Sequence, residues 1–222
     1  MKIIARIYTE FDEKFGIPRQ SGIVNETVGR IIFEPEYRNP EALRGIDGYS
    51  HLWLIWEFSE AKREEWSPTV RPPRLGGNKR MGVFATRSPF RPNPIGLSSV
   101  RLIGIEENEK YGYILTVAGA DILSGTPIYD IKPYLAYTDS HPDAVCGFAD
   151  EVIGYSIEVE FAPEVIGILS DDEKQKLIRV LEQDPRPSYK ADDERSYGMR
   201  FEGKEITFKY SNGKLLVTNI EK

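Results

Sequence analysis

Arg71, Arg74, Lys79, Arg80, Arg87 and Arg91 fall between Thr69 and Gly96 with no acidic residue among them. The whole chain carries −6, so this span is a cationic island in a protein whose remainder is more acidic than the total suggests. Such an island focuses its field on anions, phosphate or carboxylate. Five prolines and four glycines in the same span punctuate the backbone too often for a long helix. A solvated, Pro-rich surface loop is the plain reading, but one-signed charge over that length favours a site. Two further clusters carry chemistry. Arg19, Gln20 and Ser21 form the polar tip of a turn between Pro18 and Gly22, and Asp121–Asp130 (DILSGTPIYD) turns at Gly125 and Pro127.

An arginine pairs bidentately with a carboxylate, backbone groups in Gly/Pro turns can read an adenine edge, and Asp121 or backbone carbonyls can offset a ligand cation. Together these suit a zwitterionic ligand such as S-adenosylmethionine. Spacing alone does not select that ligand, and phosphate or RNA binding without catalysis fits the same residues. Other chemistries are excluded more sharply. No two glycines stand at i and i+2 anywhere, so the Rossmann fingerprint is absent. Gly77 and Gly82 have the outer spacing of a P-loop, but Val83 and Phe84 follow where Lys and Ser/Thr are required. There is no GxSxG elbow and no HExxH. One cysteine, Cys146, excludes an intrachain disulfide, and with His51 and His141 alone a Cys/His zinc site within one chain is not expected. The N-terminal MKIIARIYTEF lacks a signal-peptide core and no apolar window reaches spanning length, so a soluble, cytoplasmic protein is expected.

The elements that must position these clusters are mostly strands. Alternation predicts strands at Lys2–Thr9, Val24–Phe33 and Ile153–Phe161. Tyr49–Phe58 (YSHLWLIWEF) is the longest apolar run and reads as a buried central strand, with His51 as a hydrogen-bonded core residue. Met81–Thr86 and Ile128–Ile131 read as short strands, and Leu97–Glu106 with Tyr111–Ala118 as a hairpin. Ser170-Asp-Asp-Glu173 is a capping box ahead of a helix over Asp171–Gln183. Two prolines break that helix, and strands at Met199–Phe201, Glu205–Tyr210 and Lys214–Ile220 follow, the last two joined at Ser211-Asn212-Gly213. The chain is therefore expected to be mainly β, a β-dominated domain over 1–160 followed by a small α+β domain over 161–222.

The segments PRQSG, GYSHLWLIW, TVRPPRLGGNKRMGVFATRSPFRPNPIGLS, DILSGTPIYDIKPYL and DPRPSY closely resemble the TsaA-like/TrmO family of tRNA methyltransferases, and the likeness covers essentially the whole chain. The resemblance implies an antiparallel β-barrel unlike the Rossmann methyltransferases, acting as a homodimer. It also implies transfer of a methyl group from S-adenosylmethionine to N6 of N6-threonylcarbamoyladenosine, next to the anticodon of tRNA. Carried over by resemblance, cofactor contacts fall on Arg19, Gln20 and Ser21, on Ser59 and Glu60, on Arg87 and Leu97, and on Asp121, Ile122, Leu123 and Ser124. Arg71, Arg74, Arg91, Arg186 and Tyr189 become candidates for holding the tRNA. Asp121 or Asp130 is a candidate base for the N6 proton, and Tyr134 or Tyr137 could stack on the exposed base. A non-catalytic RNA-binding module, or a methyltransferase acting on a small molecule, is the alternative reading.

Overall fold

The computed structural model describes residues 1–61, 65–75, 79–186 and 195–221, excepting the side chains at 74 and 152. The chain is mainly β. In order, its strands are β1 (Ala5–Tyr8), β2 (Val28–Phe33), β3 (His51–Glu57), β4 (Thr69–Val70), β5 (Met81–Gly82), β6 (Ile95–Asn108), β7 (Gly112–Ala118), β8 (Thr126–Pro133), β9 (Glu158–Phe161), β10 (Ser196–Phe201), β11 (Lys204–Ser211) and β12 (Lys214–Glu221). Among the described residues, two α-helices, α1 (Ala136–Asp139) and α2 (Asp171–Leu181), and several short 3-10 segments join them.

Six strands hydrogen-bond in the cyclic order β1-β2-β7-β6-β3-β8 and close as a barrel. Every pairing in the ring is antiparallel. Successive residues of a strand face opposite sides, and the inward sets form one apolar core: Ala5 and Ile7, Ile31 and Phe33, Leu52, Leu54 and Trp56, Val100, Leu115 and Val117, and Ile128. The apolar run in β3 therefore alternates in burial. Leu52, Leu54 and Trp56 point inward, while His51, Trp53 and Ile55 line the half-buried outer face. His51 is accordingly not a core residue; its Nδ1 lies 3.0 Å from Ser50 Oγ on the outside.

The second layer is a four-stranded sheet of order β10-β11-β12-β9, covered by α2. Its capping box forms as the spacing predicts, with Ser170 Oγ accepting from the Glu173 amide and Glu173 Oε2 accepting from the Ser170 amide at 2.8 Å. The helix ends at Leu181, two residues before the expected Gln183. β9 pairs in parallel with β12, so this sheet begins before residue 161. The long segment after β1 also contributes here: Phe11 and Val24 are buried in the same core as Leu177, Phe208 and Leu215, with Phe15 and Ile17 packed against them.

Three strand expectations differ from the structure. Met81–Thr86 is a two-residue strand followed by a 3-10 turn at Val83–Ala85. Val24–Thr27 is a loop in which Thr27 Oγ1 donates to the Val24 carbonyl at 3.1 Å. Only Glu158–Phe161 of the alternating stretch from Ile153 is strand, because among the described residues no neighbouring strand lies opposite its first residues to satisfy the ladder.

Candidate functional site

The site gathers where β7 leaves the barrel and β8 enters it. Gly119, at φ +75, takes the left-handed conformation that side chains resist. Its carbonyl accepts from the Gly22 amide at 2.9 Å, which draws the Arg19–Ser21 tip against Asp121. From the other side, Thr9 Oγ1 donates to the Ile122 carbonyl at 2.8 Å, and the Ser124 amide donates to the Phe11 carbonyl at 2.8 Å. The 121–124 turn is thus tied down by backbone groups, leaving Asp121 as its charged member. Ile122 is fully buried in the barrel core and serves as the anchor.

Asp121 is held from several directions. Ser98 Oγ donates to its Oδ1 at 2.6 Å. The Ser21 amide and the Arg87 guanidinium also favour its ionised form, against a burial that pushes its carboxyl above the usual carboxylate range. Ser98 is itself buried and accepts from Trp56 Nε1 at 3.0 Å. An indole N–H can only donate, so the hydroxyl accepts from Trp56 and its single proton is committed to Asp121. The relay Trp56–Ser98–Asp121 makes Oδ1 an acceptor. Gly96 makes room for it: a Cβ there would lie 2.2 to 2.6 Å from three atoms of the Trp56 indole.

Arg87, from the cationic span, also donates to Gln20 Oε1. Ser59 and Glu60 sit in the 3-10 turn after β3, and Lys14, in the loop carrying the tip, pairs with Glu60 Oε2 at 3.1 Å. The structure therefore brings together Gln20, Ser21, Arg87 and the 121–124 turn, with Glu60 reaching the same loop through Lys14. Arg19 points the other way, donating to the Asp184 carbonyl at 3.3 Å. Leu97 is exposed on the outer face of β6, opposite in direction to Ser98.

Asp130 is separate from this cluster. It lies on the outer face of β8, across from Ile55, with Lys132 Nζ 2.8 Å from its Oδ2. Beside it, the β3–β8 pairing slips between Ile55 and Trp56, a bulge of the kind that re-aims a side chain. Tyr129 sits at the bulge; desolvation, with a hydrogen bond to Glu57, pushes its hydroxyl up to about 12. Tyr134 is packed against Trp53 and His51, ring centroids 5.5 and 6.1 Å away, whereas Tyr137 is exposed. Trp53 Nε1 and the Leu135 amide both donate to Asp139 Oδ2, at 2.8 and 2.9 Å, fastening α1 to β3.

Arg186 is part of a bracket rather than an open surface. Its Nε and Nη2 donate to the two carboxylate oxygens of Asp184 at 2.8 and 2.9 Å, and its guanidinium lies 4.0 Å from the Tyr210 ring centroid. Tyr155 completes the bracket, donating to Asp184 Oδ2 at 2.9 Å. Arg71 is exposed beyond the end of β4, and Arg91 donates to the carbonyls of Thr86 and Ser88 at 2.8 and 3.3 Å. The Arg74 side chain and Tyr189 lie outside the described residues. Sequence reasoning missed Ser98, Trp56, Glu57 and Tyr129. The one available signal was Ser98 itself, a polar residue at an inward position of a strand whose inward neighbours are Gly96 and Val100.

A methyltransferase family matches both layers. Residues 6–140 match the tRNA-methyltransferase O N-terminal domain and residues 155–222 the TrmO C-terminal domain. The chain belongs to the TrmO family. It is 43% identical over 197 residues to the tRNA (adenine(37)-N6)-methyltransferase of Escherichia coli strain K12, covering 86% of this chain and 83% of that one. A Pseudomonas aeruginosa protein, provisionally named the S-adenosylmethionine-dependent methyltransferase RcsF, is 39% identical over 220 residues, 96% of this chain and 93% of its own. A crystal structure of TrmO superposes with TM-score 0.77 at 32% identity, covering 99% of this chain and 97% of that chain.

Proposed function

We propose that this chain is an S-adenosylmethionine-dependent tRNA methyltransferase acting on N6 of the adenosine at position 37, with N6-threonylcarbamoyladenosine as the substrate base. The observation that carries the reading is the convergence of Gln20, Ser21, Arg87 and the 121–124 turn around one half-buried carboxylate, Asp121. The donor groups fit the cofactor. Asp121 answers a ligand cation, Arg87 with Gln20 answers its carboxylate, and the backbone of the turns borders an adenine. S-adenosylmethionine supplies a methyl group already activated on a sulfonium. The protein's task is to hold the N6 nitrogen in line and exclude water. The N6 lone pair is delocalised into the adenine and the carbamoyl group, so removing its proton helps. Asp121 is assigned that role over Asp130 because it lies within the cluster, whereas Asp130 lies outside it on the outer face of β8.

The finer assignments belong to the same reading. The cofactor-binding unit is the barrel, whose last strand is β8, and the boundary expected at residue 160 falls inside β9, which belongs with the small α+β unit. The enzyme works as a cytoplasmic homodimer; the outward apolar row of Ile95, Leu97 and Ile103 on β6 supports a protein contact there. No helix among the described residues is long and apolar enough to cross a membrane. Arg71 and Arg91 hold tRNA phosphates, joined by Arg74 and Tyr189 on resemblance. Arg186 acts through Asp184 on Arg19 instead.

Incubating the protein with labelled cofactor and tRNA, with and without the threonylcarbamoyl modification, tests the reading. Label should enter the modified tRNA alone. Equal label in unmodified tRNA would defeat the stated substrate. Transfer without tRNA would indicate a small-molecule enzyme, and tRNA binding without cofactor binding a non-catalytic module.

A further inference from the structure

Trp66 and Phe84 face each other at one end of the β4–β5 hairpin, ring centroids 5.9 Å apart and 32° from parallel. The hairpin explains the meeting: Thr69 pairs with Gly82, Val70 with Met81, and the Val83 amide donates to the Pro68 carbonyl at 2.9 Å. Neither ring belongs to either hydrophobic core. Trp66 is 50% and Phe84 73% exposed, in a protein that buries Phe11 and Phe208 completely. Beside Trp66 opens a cavity of about 150 Å³, walled by Trp66, Phe90 and Pro92 and edged by Ser67, Arg91 and Glu65. The opposite end of the same hairpin carries exposed Arg71, Lys79 and Arg80, with Arg80 Nη1 3.4 Å from Thr69 Oγ1.

Exposed aromatic rings in a run of cations are how proteins take unstacked RNA: rings stack on bases while the cations follow the phosphates. A cavity lined by two aromatic rings and a proline together with Ser67, Arg91 and Glu65 offers both apolar and polar contacts, and a base has an apolar face and a polar edge. None of the residues lining the cavity is among those that hold Asp121, which leaves room for a base other than the one being methylated. We propose that the Trp66–Phe90 cavity, with Phe84 beside it, is a stacking site for an unpaired nucleobase of the anticodon loop flanking the substrate adenosine. This rests on the tRNA reading above. The site grips the loop so that the substrate base alone is free to enter the cluster at Asp121. Stacking tolerates every base, so it adds affinity without choosing sequence.

The test is tRNA binding by Trp66→Ala, Trp66→Phe and Phe84→Ala over a range of salt, using tRNA that carries threonylcarbamoyladenosine, with cofactor titration and sedimentation alongside. Trp66→Ala should lose about ten- to a hundred-fold in tRNA affinity at every salt concentration. Its salt slope and cofactor affinity should stay those of the wild type, Trp66→Phe should recover most of the loss, and Phe84→Ala should lose less. Arg80→Ala should instead flatten the salt slope by about one phosphate contact. Wild-type tRNA affinity in Trp66→Ala would overturn the proposal. So would a loss that appears only together with dissociation of a dimer, since the rings would then cover a second copy of the chain. Wild-type methyl transfer to the same tRNA is measured in parallel; its failure would refute the tRNA reading independently of what Trp66 does.

Discussion

Replacing Ser98 by Ala removes the only proton that the Trp56 indole orients toward Asp121. Hydrogen bonds to a charged group contribute roughly 1.5–3 kcal/mol, and one pKa unit is worth about 1.4 kcal/mol. The lost donor acts on the ionised carboxylate alone, so the Asp121 carboxyl should rise by about one to two pH units above a value that burial already raises. The folded pKa moves further from the unfolded one, and the ionised form that answers the ligand cation is reached only at higher pH. Calorimetric titration of S-adenosylmethionine across pH reads this without needing turnover. Cofactor affinity should fall as pH drops through the Asp121 transition, and in Ser98→Ala that transition should sit about one to two units higher. The variant also leaves the Trp56 N–H, now buried, without its acceptor, costing about 1–3 kcal/mol of stability. Trp56→Phe separates the two effects: it removes the orienting N–H but leaves a hydroxyl able to donate, so its pH shift should be the smaller. A Ser98→Ala variant that is destabilised yet keeps the wild-type pH dependence would show the relay to be a packing contact only.

Gly96→Ala places a Cβ inside the Trp56 indole, and overpacking of this kind costs about 1–3 kcal/mol; urea midpoints should show the loss, with weakened cofactor binding as the ring is displaced. Glu10, partly buried between α2 and the β10–β11 turn, lies 3.6 Å from Lys176, which also pairs with Glu202 and Asp172, each at 3.1 Å. Desolvation raises its carboxyl from 4.5 to about 7. The folded state therefore binds the extra proton between those values, and stability should fall as pH rises from about 4.5 to about 7. Glu10→Gln should flatten that window in denaturation curves, and an unchanged slope would assign the titration elsewhere. Arg186→Ala leaves Asp184 partly buried without its partner, a change that costs about 3–5 kcal/mol when burial is complete. The variant should lower the denaturation midpoint, and a midpoint equal to that of the wild type would contradict the bracket.

What the sequence made legible was local. The Ser170 capping box and the Ser211–Gly213 hairpin turn are short-range patterns whose partners lie within a few residues, and both form. The Arg19–Ser21 tip and the 121–124 turn stood out by composition, and the structure places them together. What stayed hidden depends on pairing across long separations. Nothing local in β1 says that it closes the ring against β8, or that β9 joins β12 in parallel. Val24 reads as the start of a strand and Phe11 falls outside every expected element, yet both fill the core of the second sheet, because no periodicity reports which layer an isolated apolar residue will enter. Trp56, Ser98 and Asp121 come from three different segments, so their relay exists only once the barrel has set the register of β3 against β6. Arg186 looked like a free cation until the fold supplied Asp184 and Tyr210 around it.

The most direct test of the account is a crystal structure of the protein with S-adenosylmethionine bound. The ligand should lie against Asp121, Gln20, Ser21 and Arg87, with Ser98 still donating to Asp121. Ligand density elsewhere on the chain, with that cluster vacant at saturating cofactor, would contradict it.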